Sequence, residues 1–530
     1  MLSSSFHLLL ALGLVCLLRF IYLRISALSA LWHVPGPKPH SWLWGEEQIL
    51  YHDPPGSHHV EWHRRFGKVV RFSGAFGHQL LSITDPRAIS YIVGEGTYQF
   101  PKPGGVRAWF RLLLGKGILW VEGKEAHERQ RRSVAPALST QSVRHLTTLF
   151  YENAAKMAIQ WQKKFDDSQT IEITIEITDW AGRFAHVPPL SGRQSAHTYS
   201  NRLDTIGRAA FSHDFGCLNG QPHALINALD SLTNHEKTRW TFYMRAIFWF
   251  APWILHFGKK GHLIRETRQE LGELAMFILR DAKISNDPDS KSLMSLMRTL
   301  EVREDRSSVT PHMDDEQVAA QMRTIISAAY EPVSATIAWL FYELAMHPER
   351  QEAIRNEVST ACDPSYDALN NNFPLLHAFF METLRMHPPV LENHHQASET
   401  TIVPLSKPLP GTADPHLIIP KGTVLSMPVN VIQRDTSTWG PDADVFRPER
   451  WLKRNTRNNR DLFAFSLGPR GCLGRNFAAA EIKALTVVLL PQFSFSCQCD
   501  IESFQTFVIR PRVVGEGPSS LPLLVRRISE

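Results

Sequence analysis

The chain has 530 residues, of which 43% are hydrophobic and 21% charged, and this balance indicates a globular protein with a large core. Its formal net charge is only +5 and it has no long basic run, which argues against a nucleic-acid-binding protein. The six cysteines show neither paired zinc spacing nor the density of a disulfide scaffold, so we expect the main body to face a reducing compartment.

The first 25 residues are predicted to form a transmembrane anchor. Met1 to Leu18 contains no Asp, Glu, Lys or Arg, and as a helix it would rise about 27 Å, nearly the thickness of a hydrocarbon core. Arg19 and Arg24 follow the apolar run, whereas a cleaved signal peptide carries its positive charge before it. This polarity favours a retained single-pass anchor with the body in the cytosol, and a buried helix or an unusual signal peptide is the alternative.

Residues 26–45 are predicted to be a Pro-rich linker. Pro35, Pro37 and Pro39 fix backbone dihedrals, which favours a stiff extended spacer between the membrane and the body. The remaining residues, 46–530, are expected to form one catalytic domain.

The body alternates a little β structure with long helical segments. Residues 67–84 are β-prone and broken by glycine, which predicts a hairpin, and the next stretch, "DPRAISYIV", predicts the start of a helix. Apolar spacing of three to four residues predicts helices over 126–165, 262–283, 314–347, 349–361 and 373–387. Short strands are expected after Pro389 and a last helix over Asn476 to Leu490. The predicted fold class is therefore mainly α with a small β portion (α+β).

Residues 184–201 are predicted to be an atypical insert. Phe184 to Asn201 carries paired prolines, Gly192 and many polar residues, which is typical of a loop. Two interpretations stay open: a real excursion near the substrate entrance, or a translated intron left in the gene model. A spliced transcript that joins Arg183 directly to Arg202 would decide for the second.

The decapeptide "FSLGPRGCLG" places one cysteine among three glycines. A thiolate is a strong axial ligand for haem iron, and it needs a sheltered loop with positive potential nearby. Gly468, Gly471 and Gly474 permit a tight turn close to a flat cofactor, and the helix that follows Cys472 would point its N–H groups at the sulfur. Arg470 could pair with a haem carboxylate. The alternative is a buried cysteine that acts as a small apolar residue.

This stretch resembles the haem-binding motif of the cytochrome P450 family, Phe-x-x-Gly-x-[His/Arg]-x-Cys-x-Gly. Phe465, Gly468, Arg470, Cys472 and Gly474 match every fixed position. The resemblance implies a haem b whose axial thiolate comes from Cys472, within a single catalytic domain of mostly helices.

Two further groups match the same family. Glu382 and Arg385 are three residues apart, so they share a helix face, and the segment "FRPERW" adds Arg450. Without the resemblance, this spacing is weak evidence, since most such pairs are solvated salt bridges at the surface. The resemblance implies a Glu-Arg-Arg triad that braces the core behind the haem loop.

His127 and Arg131 lie four residues apart, on one face of a predicted helix, where both could reach a haem carboxylate. A basic surface helix is the alternative that spacing alone favours, and the resemblance reverses this preference. Lys124, Arg129 and Arg132 would stay exposed and could attract an acidic redox partner. The resemblance implies an NADPH-dependent cytochrome reductase as that partner, because the chain carries no glycine fingerprint for flavin or nicotinamide.

The segment 328–332 departs from the family pattern of small-Gly-x-acid-Thr. The acid is present as Glu331, but Pro332 replaces the threonine whose hydroxyl the family uses in proton delivery. Because proline lacks an N–H, we expect the helix to open or kink and to free the carbonyl of Ala328 for a water. Ser334 is rotated by about 200° and cannot take over the hydroxyl's role. Oxygen activation through Glu331, Pro332 and Ala328 is one hypothesis, and weakened or redirected chemistry is the other.

The resemblance implies a monooxygenase of the fungal microsomal type that inserts one oxygen atom of O2 into a lipophilic substrate, with electrons from NADPH through a reductase. Secondary metabolism such as terpenoid or polyketide biosynthesis, at the endoplasmic reticulum membrane and in contact with its lipid, is the expected setting. A haem-thiolate isomerase or dehydratase, a peroxide-dependent enzyme and a non-catalytic haem protein are the alternatives.

Overall fold

The computed structural model describes residues 31–178, 180–181, 238–249, 251–285, 314–360, 364–452 and 462–528. The predicted anchor at 1–25 and the predicted insert at 184–201 both lie outside these residues. Among the helices in the described ranges, none combines the length and the apolar character that crossing a membrane requires.

The described part of the predicted linker packs on the body rather than standing apart from it. The backbone N–H of Arg71 donates to the carbonyl of Pro35 (2.9 Å). A Cβ added to Gly36 would lie 1.8 Å from the carbonyl oxygen of Arg71, so the two backbones are in close contact. Leu31 and Val34 are fully buried. This end of the linker is therefore fixed by contacts and not by proline stiffness alone.

Helices make up most of the described structure. In chain order they are α1 (Glu47–His52), α2 (Ser57–Phe66), α3 (Pro86–Val93), α4 (Gly104–Leu113), α5 (Lys124–Val134), α6 (Thr140–Ser168), α7 (Arg239–Ile247), α8 (Gly258–Ser285), α9 (Asp315–Met346), α10 (Pro348–Ser359), α11 (Tyr366–Asn371), α12 (Pro374–Met386), α13 (Val429–Ile432), α14 (Thr436–Trp439), α15 (Glu449–Leu452) and α16 (Arg475–Leu489). The helices predicted over 262–283, 314–347, 349–361, 373–387 and 476–490 are confirmed, with ends that differ by one to four residues, as α8, α9, α10, α12 and α16.

The strands form small sheets. They are β1 (Val69–Ser73), β2 (Gln79–Ile83), β3 (Glu172–Glu176), β4 (Glu392–Gln396), β5 (Thr401–Pro404), β6 (His416–Ile419), β7 (Val424–Pro428), β8 (Phe493–Cys497), β9 (Ile501–Gln505), β10 (Ile509–Val513) and β11 (Pro522–Arg527). The sheet orders are β1-β2-β7-β4, β3-β11-β8, β5-β6 and β9-β10. The predicted hairpin at 67–84 is confirmed, because β1 and β2 pair antiparallel with Val69 opposite Ile83. The α+β class is therefore confirmed.

The single helix predicted over 126–165 is wrong. The chain forms α5 and α6 there, separated by a 3₁₀ turn at Ala135–Leu138. Pro136 has no N–H to continue α5, and the side chain of Ser139 accepts from the N–H of Ser142 and so caps a new helix. This break places α5 beside the cysteine loop.

The largest core is built around α9 and α16. Nearly every side chain of α9 from Val318 to Leu344 is buried, on all sides of the helix. Phe477 of α16 meets Phe150 of α6 edge-on, with ring centroids 4.9 Å apart. The long helix and the helix after the cysteine are thus anchored in one apolar cluster, which fixes the two walls of the site described next.

Candidate active site

The cysteine loop is held by its own backbone. The N–H of Cys472 donates to the carbonyl of Phe465 (2.8 Å), and Gly471 N–H donates to Gly468 O (3.0 Å). Gly468 has φ +70° and a Cβ there would lie 1.9 Å from the carbonyl oxygen of Val93. No other residue type fits at this position, because both the dihedral and the space require glycine. Gly474 then leads directly into α16.

Backbone N–H groups and two arginines lie near the sulfur of Cys472. Burial raises the pKa of the Cys472 thiol, whereas the backbone N–H groups of Gly474 and Arg475 and the charges of Arg475 and Arg131 act in the opposite direction. A bound metal ion would itself deprotonate the thiol, since only the thiolate is a ligand. The loop therefore offers a sulfur whose anionic form is supported from several directions.

The thiol faces a cavity of about 380 Å³. Cys472 and Phe465 of the cysteine loop line it, and α9 contributes Ala328, Ala329 and Pro332 to the lining. Other lining residues are mostly apolar, among them Ile118, Leu119, Val333, Phe380, Leu384 and Val390. A sulfur ligand in a cavity with a mostly apolar lining suits a flat apolar cofactor with a lipophilic substrate above it.

Cations gather at one edge of this cavity. His127, Arg131, Arg470 and Lys102 all line it, so the structure brings together the three predicted residues and adds a lysine. Arg131 donates to the carbonyl of Gly471 (2.9 Å). Arg470 and Lys102 share the carboxylate of Glu122, with Lys102 Nζ 3.0 Å from it. Because these two cations share a single carboxylate, this edge of the cavity carries an excess of positive charge.

The cationic edge fits the carboxylates of a haem. Nε of Arg470 is buried with no hydrogen-bond partner among the described residues, so it can serve an incoming acceptor. Burial, followed by the charges of Arg470, Lys102 and Arg131, lowers the pKa of His127 to about 4, which leaves a neutral ring. Nδ1 of His127 lies 3.1 Å from the hydroxyl of Tyr98. Burial also lowers the pKa of Lys102 to about 8 despite its pairing with Glu122.

The Glu382 carboxylate lies at the centre of a buried ionic cluster. Arg385 Nε and Nη2 each donate to it at 2.8 Å, and Arg450 Nε donates at 3.0 Å. Glu382 and Arg385 are fully buried. Such a cluster is stable only when its hydrogen bonds are satisfied, and backbone groups complete it here: Arg385 Nη1 donates to the carbonyls of Gln433 (2.9 Å) and Ala443 (2.6 Å).

Gln433 connects this cluster to the cysteine loop. Its side-chain amide donates to the carbonyls of Leu384 and Arg385 (2.9 and 3.0 Å), and its side-chain oxygen accepts from the N–H of Ala464 (2.7 Å). Ala464 directly precedes Phe465, where the loop begins. The position of the loop therefore depends on the ionic cluster through one glutamine.

A family model described as cytochrome P450 matches residues 34–187 and 190–513. Three fungal relatives extend over almost the whole chain. A cytochrome P450 monooxygenase, claU, of Ampulloclitocybe clavipes is 30% identical over 97% of this chain and 95% of its own length. Cytochrome P450 monooxygenase 205 of Postia placenta is 28% identical over 99% and 98%, and sphH of Aspergillus fumigatus is 26% identical over 90% and 86%.

The chain belongs to the cytochrome P450 family. In this P450 the cavity helix α9 stays α-helical from Asp315 to Met346, straight through Pro332, so the expected opening is not seen as a break. Packing of a helix that is buried all round outweighs the local cost of one proline, about 3 kcal/mol in an ordinary helix. The hydroxyl of Thr336 donates to the carbonyl of Pro332 (2.7 Å).

Glu331 does not line the cavity, in contrast to its neighbours. Its carboxylate pairs with Arg510 of β10 at 2.9 Å, and the side chain is 2% exposed. Ser334, which was expected on the far side of the helix, is indeed absent from the lining, and its hydroxyl donates to the carbonyl of Glu331 (3.1 Å). The hydroxyls on the cavity side of α9 are those of Thr324 and Thr336.

Sequence reasoning missed Lys102, His395 and Gln433 in this P450. Burial, and to a smaller extent Lys102 and Arg470, lowers the pKa of His395 to about 4, which places it close to the cationic edge. Its Nδ1 lies 2.8 Å from the carbonyl of Phe100. These residues belong to no local motif, because each reaches the site from a different loop or strand. Only Lys102, which follows a proline in a glycine-rich turn, carried a weak signal.

Proposed function

We propose that this P450 is a haem-thiolate monooxygenase that transfers one oxygen atom of O2 to a lipophilic organic substrate. The observation that carries the proposal is the thiol of Cys472 facing a mostly apolar cavity that α9 also lines. Cys472 would hold a bound haem through its sulfur, and the haem would supply the reductive activation of dioxygen.

The residues around the cavity divide the remaining work. Arg131 and Arg470 would hold the haem carboxylates, since both line the cavity edge and Arg470 keeps a buried donor unpaired within the described structure. His127 would donate to a carboxylate as a neutral ring. Phe465 lines the cavity under the guanidinium of Arg475, 5.3 Å from its ring centroid, and would lie against the haem face. Gly468 and Gly474 would allow the close approach.

In α9, the carbonyl of Ala328, left free by Pro332, and the carboxylate of Glu331 would take part in proton delivery. The carbonyl of Ala328 receives no hydrogen bond from Pro332, which lacks an N–H, so it can accept from water at the cavity surface. Glu331 would act from behind the helix, and the hydroxyl of Thr336 supplies a further polar group one turn away. Water exclusion would come from the apolar lining.

Domain organisation and location follow from the same proposal. Residues 1–25 would anchor the chain in the endoplasmic reticulum membrane, 26–45 would form the linker, and 46–530 the catalytic domain on the cytosolic side. The exposed cations Lys124, Arg129 and Arg132 of α5 lie on the same helix as His127 and Arg131, which supports docking of an acidic NADPH-dependent reductase near the haem edge. The matched relatives are fungal monooxygenases, and the role proposed for this chain is in secondary metabolism such as terpenoid or polyketide biosynthesis.

The first test is the carbon monoxide difference spectrum of the reduced protein. A Soret band at the long-wavelength position peculiar to thiolate ligation is expected for the unaltered chain and should be lost in Cys472→Ser. Cys497→Ser is the matched control, because that cysteine lies at the end of β8. If the band is absent from the unaltered protein, or survives in Cys472→Ser, the proposal is wrong.

A second candidate function is favoured by Pro332. The missing hydroxyl at this position would suit a haem-thiolate isomerase or dehydratase, or a peroxide-dependent enzyme. Turnover that needs neither NADPH nor reductase would establish this alternative. Correct haem loading without oxidation of any member of a broad lipophilic panel would instead support a non-catalytic haem protein.

A further inference from the structure

The C-terminal hairpin holds the acid of the cavity helix. Glu331 Oε2 lies 2.9 Å from Arg510 Nη2, and the side chains of both residues are at most 5% exposed. Ala329, two residues before Glu331, and Pro332, directly after it, line the cavity, whereas Glu331 does not. The carboxylate therefore lies beside the cavity wall but is directed towards β10.

The other oxygen of Glu331 has no partner within the described part of the chain. Oε1 is buried and makes no hydrogen bond to any described residue. A buried carboxylate with an unsatisfied oxygen is unfavourable unless a cation stabilises its charge or a proton neutralises it. Arg510 is the cation paired with this carboxylate, so it fixes where the other carboxylate oxygen points.

Arg510 also contacts the residue before Glu331. Its Nη2 lies 3.5 Å from the hydroxyl of Tyr330, and its guanidinium carbon is 5.9 Å from the centroid of that ring. Tyr330 is among the largest fully buried side chains. One guanidinium thus contacts two successive residues of α9, which a flexible ammonium group could not do with the same geometry.

The strand that carries Arg510 is held by hydrogen bonds to the segment at Pro389 and to α9. The N–H of Ile509 donates to the carbonyl of Pro389 (2.9 Å), and Trp339 of α9 donates to the carbonyl of Ile509 (3.1 Å). Pro389 itself lines the cavity. At the tip of the hairpin, Phe507 stacks on Trp109 of α4, with ring centroids 6.3 Å apart. The position of Arg510 is therefore coupled to the cavity lining at Pro389 and, through the hairpin tip, to α4.

We propose that Arg510 is a positioning residue for proton delivery: it is the buried partner of the Glu331 carboxylate and fixes the direction of Oε1 on the rear of the cavity wall. This inference rests on the monooxygenase function proposed above and assigns a role in it to the β9–β10 hairpin. A substrate that moves Pro389 or the hairpin tip would then move Arg510 through Ile509. That movement would change the direction of the Glu331 carboxylate.

The experiment uses the full-length haem-loaded protein with ¹³C-labelled glutamate and the variants Arg510→Met, Arg510→Lys and Glu331→Gln. Arg512→Met is the matched control, because Arg512 lies two residues further along the same strand and pairs with Glu502 on the hairpin instead. Infrared spectra at neutral pH report protonated glutamate. We expect a new protonated-carboxyl band in Arg510→Met that disappears when Glu331→Gln is added, and no such band in Arg512→Met.

A second measurement is the ratio of peroxide to water formed from O2. With a reductase, NADPH and no added substrate, peroxide takes two electrons and two protons per O2, whereas two waters take four of each. We expect Arg510→Met to raise the ratio of peroxide to water by roughly tenfold, below the roughly 100-fold effect of losing a general acid or base outright. Glu331→Gln in that background should add nothing further, because the two residues act as one unit.

Three results would overturn the inference: no infrared change in Arg510→Met, additive effects of Arg510→Met and Glu331→Gln, or a peroxide ratio equal to that of Arg512→Met. If Arg510→Met fails to bind haem, Arg510→Lys replaces it. That variant keeps the charge but loses the shared contact with Tyr330, and we expect about half of the logarithmic change in the peroxide ratio; no change would contradict the inference. Loss of the carbon monoxide band in the unaltered protein would refute the proposed function instead.

Discussion

The cysteine loop and helix α9 line one cavity, but different forces hold them in place. The loop depends on close backbone contacts, as at Gly468 and Val93, and on the buried charges around Glu382. Helix α9 depends on apolar packing around its whole circumference, and it accepts Pro332 without losing helical structure. A wall fixed by exact contacts tolerates no substitution, whereas a wall fixed by distributed packing can change a side chain and keep its shape.

The largest effect is expected for Gly468→Ala, which tests whether the cysteine loop depends on close backbone contacts. A methyl group 1.9 Å from the Val93 carbonyl forces the backbone apart, so we expect a loss of more than about 4 kcal/mol in the free energy of unfolding. Gly515→Ala is the matched control: its φ is also positive at +85°, but no atom lies within 4 Å, so only the dihedral cost of about 1–2 kcal/mol remains. Urea unfolding and haem content measure both. Equal losses would show that the contact does not matter.

Glu382→Gln tests the charges behind the loop. Removing one charge leaves two buried arginines short of their partner, and we expect a loss of about 3 kcal/mol in the free energy of unfolding. Glu502→Gln breaks the more exposed pair with Arg512 and should cost less than about 1 kcal/mol. Chemical denaturation compares the two. A similar cost for both would mean that the cluster contributes no more than a surface ion pair.

We expect acid to lower the free energy of unfolding through His127, which lies on the side of the cavity that carries the cysteine loop, before it affects α9. Because burial lowers the folded-state pKa of His127 from 6.5 to about 4, the unfolded chain binds a proton first as the pH falls. The stabilisation is complete above about pH 6.5 and is lost towards pH 4, which amounts to about 2 kcal/mol between pH 6.5 and 5.

Unfolding of haem-free protein at several pH values measures this effect, and His127→Gln should flatten the slope. A bound haem carboxylate would stabilise the charged ring, so the haem-loaded protein should lose less. An equal slope in His127→Gln would assign the acid sensitivity to other residues.

The smallest effect is expected on the distal wall. Pro332→Ala restores an N–H for the carbonyl of Ala328, and we expect a gain of about 1 kcal/mol, less than the roughly 3 kcal/mol of an exposed helix because the packed helix already accommodates the ring. Pro332→Thr adds the hydroxyl as well. If that hydroxyl is what the chemistry lacks, Pro332→Thr alone should lower peroxide release. An equal decrease in Pro332→Ala would point to the freed carbonyl instead.

The motif around Cys472 could be predicted because its geometry is local: glycine spacing, the cysteine and the following helix lie within one short segment. The contact of Glu382 with Arg385 has the same origin, since both lie on one helical face. The partner of Glu331 could not be predicted, because Arg510 is 179 residues away and pairs through tertiary packing.

The contacts of Gln433 could not be predicted either, because they are tertiary. The break at Pro136 was missed because the apolar spacing continues across it and the only sign of a new helix is a single capping serine. Whether residues 184–201 are a loop or a retained intron stays a prediction.

The bridge at Gln433 also bears on how the protein is made. The amide joins a helix ending at Met386 to a loop that begins at Phe465, so the sulfur cannot be set in place until the cysteine loop has left the ribosome. Helix α9 is synthesised much earlier and must wait, with its apolar surface uncovered, for the partner wall. Haem capture should therefore come late, and nascent chains halted before Phe465 should stay sensitive to protease whether or not haem is supplied.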